Sequence, residues 1–318
     1  MAVTFRRFGL GVLPTPLTRA QRLERALGAA PLWIKRDDLT GFATAGTKTR
    51  PLEFLIGDAL VSGATVVVAT GSPSSNFCAV AALAARTAGL DCEVLYAGSR
   101  PTPPPYSVRL ATAAGARLFF DPTLKRDDLD AAVNARAATL GPTAYPLPRG
   151  GATPVGALGC AYAARELSQQ LPDQPATVVV ATGSGGTQAG LVAGVVRFGL
   201  PFRVIGASVS RSAMLARVRV LALAQACAHL MRSAEPRAFN VDIRDRLGPG
   251  FGIAADDDRQ SATLALGHEG LLLDDTYTAK SMSLVRELVR TGVDGPIVFW
   301  HTGGQAAALQ SMPGGDSE

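Results

Sequence analysis

Histidine, lysine and cysteine are scarce in this 318-residue chain, with three, four and four residues respectively. The cysteines (Cys78, Cys92, Cys160 and Cys227) form no CxxC, and no histidine stands at ligand spacing from them. That argues against a metal centre or a disulfide framework and predicts buried or incidental thiols of a reducing compartment. Aromatic residues are few, at 6%, and no basic stripe is interleaved with them. The formal charge of +5, carried mostly by dispersed arginines, therefore predicts solubility and attraction of small anions, with no nucleic-acid partner. Long uninterrupted apolar runs are also missing. Residues 59–85 carry no charge, but Gly71-Ser72-Pro73-Ser74-Ser75-Asn76 interrupts them. A buried strand, a loop and a helix are expected there rather than a membrane span. Arg6-Arg7 precedes an apolar run broken by Pro14 and Pro16, with no small-residue cleavage site after it. A twin-arginine signal is rejected, and a cytoplasmic location without a membrane partner is expected.

What is present is a globular, enzyme-like composition, 47% apolar and 18% charged, on a chain long enough for two domains. Apolar runs of strand length alternate with Ala-rich helical stretches, as in "ATVVVATGS" before "AVAALAARTAG" and "FRVIGASVS" after "QAGLVAGVVRFG". This alternation predicts an α/β fold with mostly parallel sheets covered by helices on both faces. "ATVVVATGS" occurs twice, at residues 64–72 and 176–184, each time a strand, a Gly/Ser turn and then a helix. Two such units suggest two α/β domains, each offering a helix N-terminus to a ligand in the cleft between them. Boundaries are expected around Pro51 and around "YPLPRGGATPVGALG". The segment "RSAMLARVRVLALAQACAHLMRSAEPRAF" reads as helix.

Two stretches carry chemistry. Gly183, Ser184, Gly185, Gly186 and Thr187 follow a strand and open a helix, an arrangement in which backbone N–H groups and the helix dipole converge on an anion. Gln188 stands where a dinucleotide fingerprint needs a small residue, and the next strand ends in serines, so a single phosphate is expected instead. Lys48 lies in "GFATAGTKTRPLEFL", among small residues. It is one residue out of register for a P-loop and no buried strand precedes it. An amine held in such a pocket sheds its proton more easily and becomes a nucleophile toward an aldehyde, forming a Schiff base. A single-phosphate cradle together with a reactive lysine points to pyridoxal 5'-phosphate. Of the other lysines, Lys125 is expected at the surface, a reading also open to Lys280 on its helix, and Lys35 in an ion pair with Asp37 or Asp38.

The motifs "IKRDDLTGFATAGTKTRPLEFL", "TGSPSSNFCAVAALAARTAGL", "YPLPRGGATPVGALG", "VVVATGSGGTQAGLVAG", "LGPGFGIA", "EGLLLDDTYTAKSM" and "VFWHTGG" follow one another over nearly the whole chain. In this order they resemble the fold-type II pyridoxal-phosphate enzymes, in particular the group of 1-aminocyclopropane-1-carboxylate (ACC) deaminase and D-cysteine desulfhydrase. The resemblance implies a two-domain, tryptophan synthase β-like fold, with residues 1–52 and 164–318 as the large cofactor-binding domain and 53–163 as the small one. It implies a homodimer and a small amino-acid substrate. It also implies roles for single residues. Lys48 would hold the cofactor and shuttle the substrate's α-proton. Asn76 would bond the ring hydroxyl, Gly183 to Thr187 the phosphate, and Thr302 the pyridine nitrogen. Ser75 at the start of its helix would hold the substrate carboxylate, and Tyr277 would lie against the ring and act as acid or base. A threonine at the nitrogen does not favour its protonation, which suits elimination better than a long-lived carbanion.

The departures from that pattern bear on specificity. The usual Gln-Ser-Asn-His is here Ser74-Ser75-Asn76-Phe77, the usual Gly-Tyr-Gly is Gly250-Phe251-Gly252, and the usual Tyr-Thr-Gly-Lys is Tyr277-Thr278-Ala279-Lys280. Thr278 is similar to desulfhydrase-like members, where deaminases tend to carry Glu. Ser74, Ser75, Phe77, Phe251 and Thr278 are the expected substrate contacts, in a pocket made more apolar by two phenylalanines. The leading expectation is a lyase or deaminase that removes the α-proton and expels a β-substituent. The alternative is a biosynthetic enzyme of the same family performing β/γ-replacement or cyclisation. A non-catalytic cofactor binder would have no need of Tyr277.

Overall fold

The computed structural model describes residues 5–29, 31–171 and 174–312. Runs of Val, Ala and Thr, covered on both faces, form the strands, and the small-residue stretches after them form the covering helices. In chain order the elements are β1 (Leu17–Arg19), α1 (Gln21–Leu27), β2 (Leu32–Arg36), α2 (Thr49–Val61), β3 (Val66–Gly71), α3 (Asn76–Thr87), β4 (Asp91–Ala97), α4 (Tyr106–Ala113) and β5 (Arg117–Asp121). They continue with α5 (Leu129–Leu140), β6 (Ala144–Leu147), α6 (Pro154–Gln170), β7 (Ala176–Thr182), α7 (Gly186–Phe198), β8 (Phe202–Ser208) and α8 (Ala213–Leu230). The last are β9 (Asp242–Asp245), α9 (Asp256–Glu269), α10 (Thr278–Arg290), β10 (Ile297–His301) and α11 (Gln305–Ser311).

The strands make two sheets. One has six strands in the order β1-β2-β10-β7-β8-β9, and the other four in the order β5-β4-β3-β6. All pairings are parallel except that of β1 with β2. The repeated sequence supplies an inner strand of each sheet, β3 in the smaller and β7 in the larger, and both are buried along their whole length. Pro146 is tolerated in β6 because β6 is an edge strand and loses no ladder bond on its open side. The larger sheet buries alternate residues on opposite faces, Val178, Val180 and Trp300 on one, Val179, Ile205 and Phe299 on the other. Each such side chain contributes about 1.5–3 kcal/mol by leaving water.

Several expectations need amending. Pro51 is no boundary: it lies in the first turn of α2, where its missing N–H has no helical acceptor to lose. A division between residues 163 and 164 would cut α6, which runs unbroken from Pro154 to Gln170 and packs on α7. Of the long segment expected to be helical, only Ala213–Leu230 is; residues 234–237 are irregular. By length and composition alone α8 could cross a membrane, with a mean hydropathy of 1.3, but it packs against α6 and α7.

Lys35 pairs with neither Asp37 nor Asp38. Its ammonium meets Glu166 at 2.5 Å and also donates to Thr15 O and Gln170 Oε1. Asp37 is taken instead by Arg50 at 2.7 Å and by the indole N–H of Trp300 at 2.8 Å, and Arg50 reaches Glu166 at 2.9 Å. Despite its burial, Asp37 is held below the usual carboxylate range by Arg50. This buried ion cluster underlies the N-terminal turn of α2. Lys280 is likewise no surface charge. It is fully buried, and its ammonium donates to the carbonyls of Leu247 at 2.6 Å and Gly250 at 2.9 Å, tying down the loop that carries Phe251.

Candidate active site

The turn Gly46–Lys48 enters α2 and is stitched to the end of β10. Thr47 N–H donates to Thr302 O at 2.9 Å. Gly46 has φ +54°, and a Cβ there would lie 2.3 Å from the same carbonyl, so only glycine allows this approach. Lys48 thereby projects into the space between the two sheets' C-terminal edges. It is half-buried and has no carboxylate partner among the described residues. Desolvation pulls its ammonium below the ordinary lysine value, opposed only by the Cys160 thiol.

The glycine-rich turn comes to meet it. At Gly150 (φ +65°) an added Cβ would stand 3.4 Å from Lys48 Nζ and 2.8 Å from Ser184 Oγ, so the amine and the turn converge on one backbone position. The N-terminus of α7 is capped by no side chain, since Gly185 at φ +97° occupies the capping position. The N–H groups of Gly186, Thr187 and Gln188 find no acceptor within the protein among the described residues. Uncapped N–H groups on a 13-residue helix beside an amine with no counter-ion suit a phosphorylated aldehyde. Thr302 sits half-buried where β10 ends.

From the small sheet, Ser75 caps α3, its Oγ accepting from Cys78 N at 3.4 Å. Ser74 is exposed and shares a 3.0 Å hydrogen bond with Ser72. Asn76 joins the two halves: its Nδ2 donates to Thr44 O at 2.7 Å and its Oδ1 accepts from Thr44 Oγ1 at 3.0 Å. Tyr277 closes another side. A Cβ on Gly183 would lie 2.9 Å from its ring, so the tyrosine packs directly over the glycine turn. The ring of Phe251 meets it edge-on, with centroids 6.0 Å apart. Tyr277 is 39% exposed, yet desolvation around its hydroxyl and the neighbouring Asp274 push it up to about 12, so it is a proton donor at neutral pH.

Two expected substrate contacts lie elsewhere. Phe77 is 3% exposed and belongs to the core of the small sheet, its ring edge against Gly151. Thr278 is fully buried, with its hydroxyl donating to Asp274 Oδ1 at 2.6 Å and accepting from Asp274 N at 2.7 Å. Both positions follow from helix geometry, because each lies within the first two residues of a helix whose start turns inward. Two residues went unnoticed in the sequence. Asp274 accepts the N–H groups of Thr276, Tyr277 and Thr278 and so sets the tyrosine's position; an acid four residues before the helix start was a legible signal. Tyr106 stands at the start of α4, and burial together with the Asp274 carboxylate raises its hydroxyl to about 12. Its neighbour Ser107 pins α4 to the serine loop by donating to Pro73 O at 2.6 Å. Nothing in the local sequence marks Tyr106. No group of three or more potential metal-ligating side chains occurs among the described residues.

Two parallel sheets with a lysine and a glycine turn meeting between their C-terminal edges define a fold-type II pyridoxal-phosphate enzyme. The family model described as "Pyridoxal-phosphate dependent enzyme" matches residues 9–303, and the chain belongs to that family. It is 35% identical over 330 residues to a D-cysteine desulfhydrase of Klebsiella pneumoniae, covering 97% of each chain. A D-cysteine desulfhydrase of Salmonella newport is 35% identical over 324 residues, again with 97% of each covered. Among solved structures, an ACC deaminase homologue superposes with a TM-score of 0.89 at 31% identity, over 96% of this chain and 93% of that one. A pyridoxal 5'-phosphate-dependent aspartate racemase, at 15% identity and a TM-score of 0.68, shares the fold. The cofactor of this family is pyridoxal 5'-phosphate, and the enzyme is a lyase or deaminase.

Proposed function

We propose that this enzyme eliminates the β-substituent of a small amino acid, with D-cysteine as the first substrate to test. D-Cysteine and water would give pyruvate, ammonia and hydrogen sulfide. The observation that carries the reading is the meeting of Lys48 Nζ with Ser184 at Gly150, which brings the amine and the anion cradle into one site. When bound, the cofactor supplies the electron sink that lets a Cα–H bond break. Lys48, whose amine is easily deprotonated, holds the cofactor and takes the α-proton. Gly183, Ser184, Gly185, Gly186 and Thr187 hold the phosphate, Asn76 the ring hydroxyl and Thr302 the pyridine nitrogen. Ser75 and the start of α3 orient the substrate carboxylate, with Ser74 at the exposed rim. Tyr277 covers the ring and, being protonated, delivers a proton to the leaving group. Phe251 excludes water from that side.

The biosynthetic alternative drew on two phenylalanines near the substrate. Only Phe251 stands by Tyr277, so the case for replacement chemistry is correspondingly smaller. The division we propose keeps β3 to β6 with α3 to α5 in the small domain and places its second boundary before Pro154, in place of 163/164; α2 packs on both. The exposed Met214, Leu215 and Val218 on α8 support a homodimer, and four buried free thiols support a cytoplasmic location.

The test is turnover of D-cysteine, L-cysteine and ACC by wild type and by Lys48→Ala. Pyruvate with ammonia and hydrogen sulfide is expected from at least one enantiomer of cysteine; a 2-oxo acid from ACC alone would mark a ring-opening deaminase instead. Lys48→Ala should lose about 10²–10⁴-fold or more in rate. Wild type that binds the cofactor yet turns over none of the three would overturn the reading.

A further inference from the structure

Four arginines from four segments are carried on or near the elements that frame the site. Arg219 donates to Ser184 O at 2.8 Å, and Arg149 adjoins Gly150, the meeting point of Lys48 and Ser184. These two share one acid, Asp130, at 3.2 Å and 3.0 Å. Asp127 adds only a 3.7 Å contact to Arg149 and is almost wholly exposed. Arg126 and Arg211 have no carboxylate within ion-pair distance among the described residues. The guanidinium of Arg126 lies over the Phe251 ring, 4.1 Å from its centroid, and that ring abuts Tyr277. Arg211 is carried by the turn after β8, where Ser208 Oγ donates to Arg211 O and Ser210 Oγ donates to Gly183 O at 3.0 Å. The guanidinium of Arg126 therefore stands at the rim beside Tyr277, and the backbone of Arg211 is held one residue from the contact with Gly183.

A folded chain gathers like charges only at a cost, and here it is legible. Arg211 is disfavoured as a cation by burial and by Arg219, Arg149 and Arg126, and Arg126 by burial and Arg149. Two guanidiniums without a carboxylate partner, that of Arg126 over an aromatic face, make a recognition site for an oxyanion.

We propose that Arg126 and Arg211 form a subsite for a negatively charged β-substituent, so that the preferred substrate carries an oxyanionic group on its β-carbon. This rests on the elimination reading above. With O-phosphoserine as the probe, Lys48 removes the α-proton, the Cβ–O bond breaks and phosphate leaves with the bonding electrons. Water then converts the resulting enamine to pyruvate and ammonia, so substrate plus water equals pyruvate, ammonium and hydrogen phosphate.

The experiment compares O-phosphoserine with β-chloroalanine, both as D and L forms, on the holoenzyme of wild type, Arg126→Ala, Arg211→Ala and Arg126→Lys. The wild type should favour O-phosphoserine in kcat/KM, with a KM that rises with ionic strength. Each alanine variant should raise the KM for O-phosphoserine at least tenfold more than that for β-chloroalanine, and Arg126→Lys should recover part of the loss. Equal losses on both substrates, accompanied by weaker cofactor binding in a spectral titration, would assign the arginines to the cofactor's phosphate and overturn the proposal. Turnover of β-chloroalanine alone would also overturn it while leaving the elimination reading intact. No turnover of either would mean that the elimination reading itself has failed.

Discussion

Replacing Gly150 by alanine separates the geometry of the site from the stability of the fold. The residue has φ +65°, where a Cβ strains the backbone by about 1–2 kcal/mol. The new methyl would also stand 2.8 Å from Ser184 Oγ and 3.4 Å from Lys48 Nζ, both ends of side chains that can move. The fold therefore bears little more than the backbone term, a fall in Tm of roughly 1.5–3 °C for a chain of this size. The site must shift its amine and its anion turn apart, and a displacement of about 1 Å costs on the order of 100-fold in rate. Gly28→Ala is the control. Its φ is +62° and nothing lies within 4 Å of an added Cβ, so it carries the same backbone cost far from Lys48. Cofactor affinity would be read by absorbance titration, stability by thermal melting, and rate by product formation. Gly150→Ala should match Gly28→Ala in Tm and fall well below it in cofactor affinity and turnover. Equal activity in the two variants would refute the convergence of Lys48 and Ser184 as the basis of the site.

Thr278→Val tests the structural role of that hydroxyl. It removes one donor and one acceptor from buried Asp274, so stability should drop by about 2–4 kcal/mol in a denaturant titration. A change in substrate preference without that drop would restore Thr278 as a substrate contact. Lys48 predicts a pH dependence of the cofactor-free protein. Its folded pKa lies below its ordinary value of 10.5, so the unfolded chain binds the extra proton between the two values. Stability from this group should therefore rise with pH through that window, and it is lost as pH falls through the folded value. Wild type minus Lys48→Ala, melted as a function of pH, isolates the slope; a difference that falls with pH contradicts a buried amine.

Local patterns in the sequence sufficed for the elements and for each half of the site. The two copies of a buried Val/Ala strand ending in Thr-Gly-Ser announced parallel α/β units because their period and composition suit strands covered on both faces. The uncapped Gly185-Gly186 start of α7 and the isolated Lys48 were legible because backbone freedom and a lone amine are properties of the residues themselves. What tertiary structure alone decided was which groups meet. Phe77 and Thr278 looked like pocket residues by motif, yet the first turns of α3 and α10 point them into the interior. Tyr106 and the four arginines come from segments far apart in the chain, and only the docking of the two sheets brings the elements that carry them together. Lys35 chose Glu166 over its near neighbours for the same reason: Asp37 is taken by Arg50 and Trp300, and the partner arrives on a helix 131 positions away.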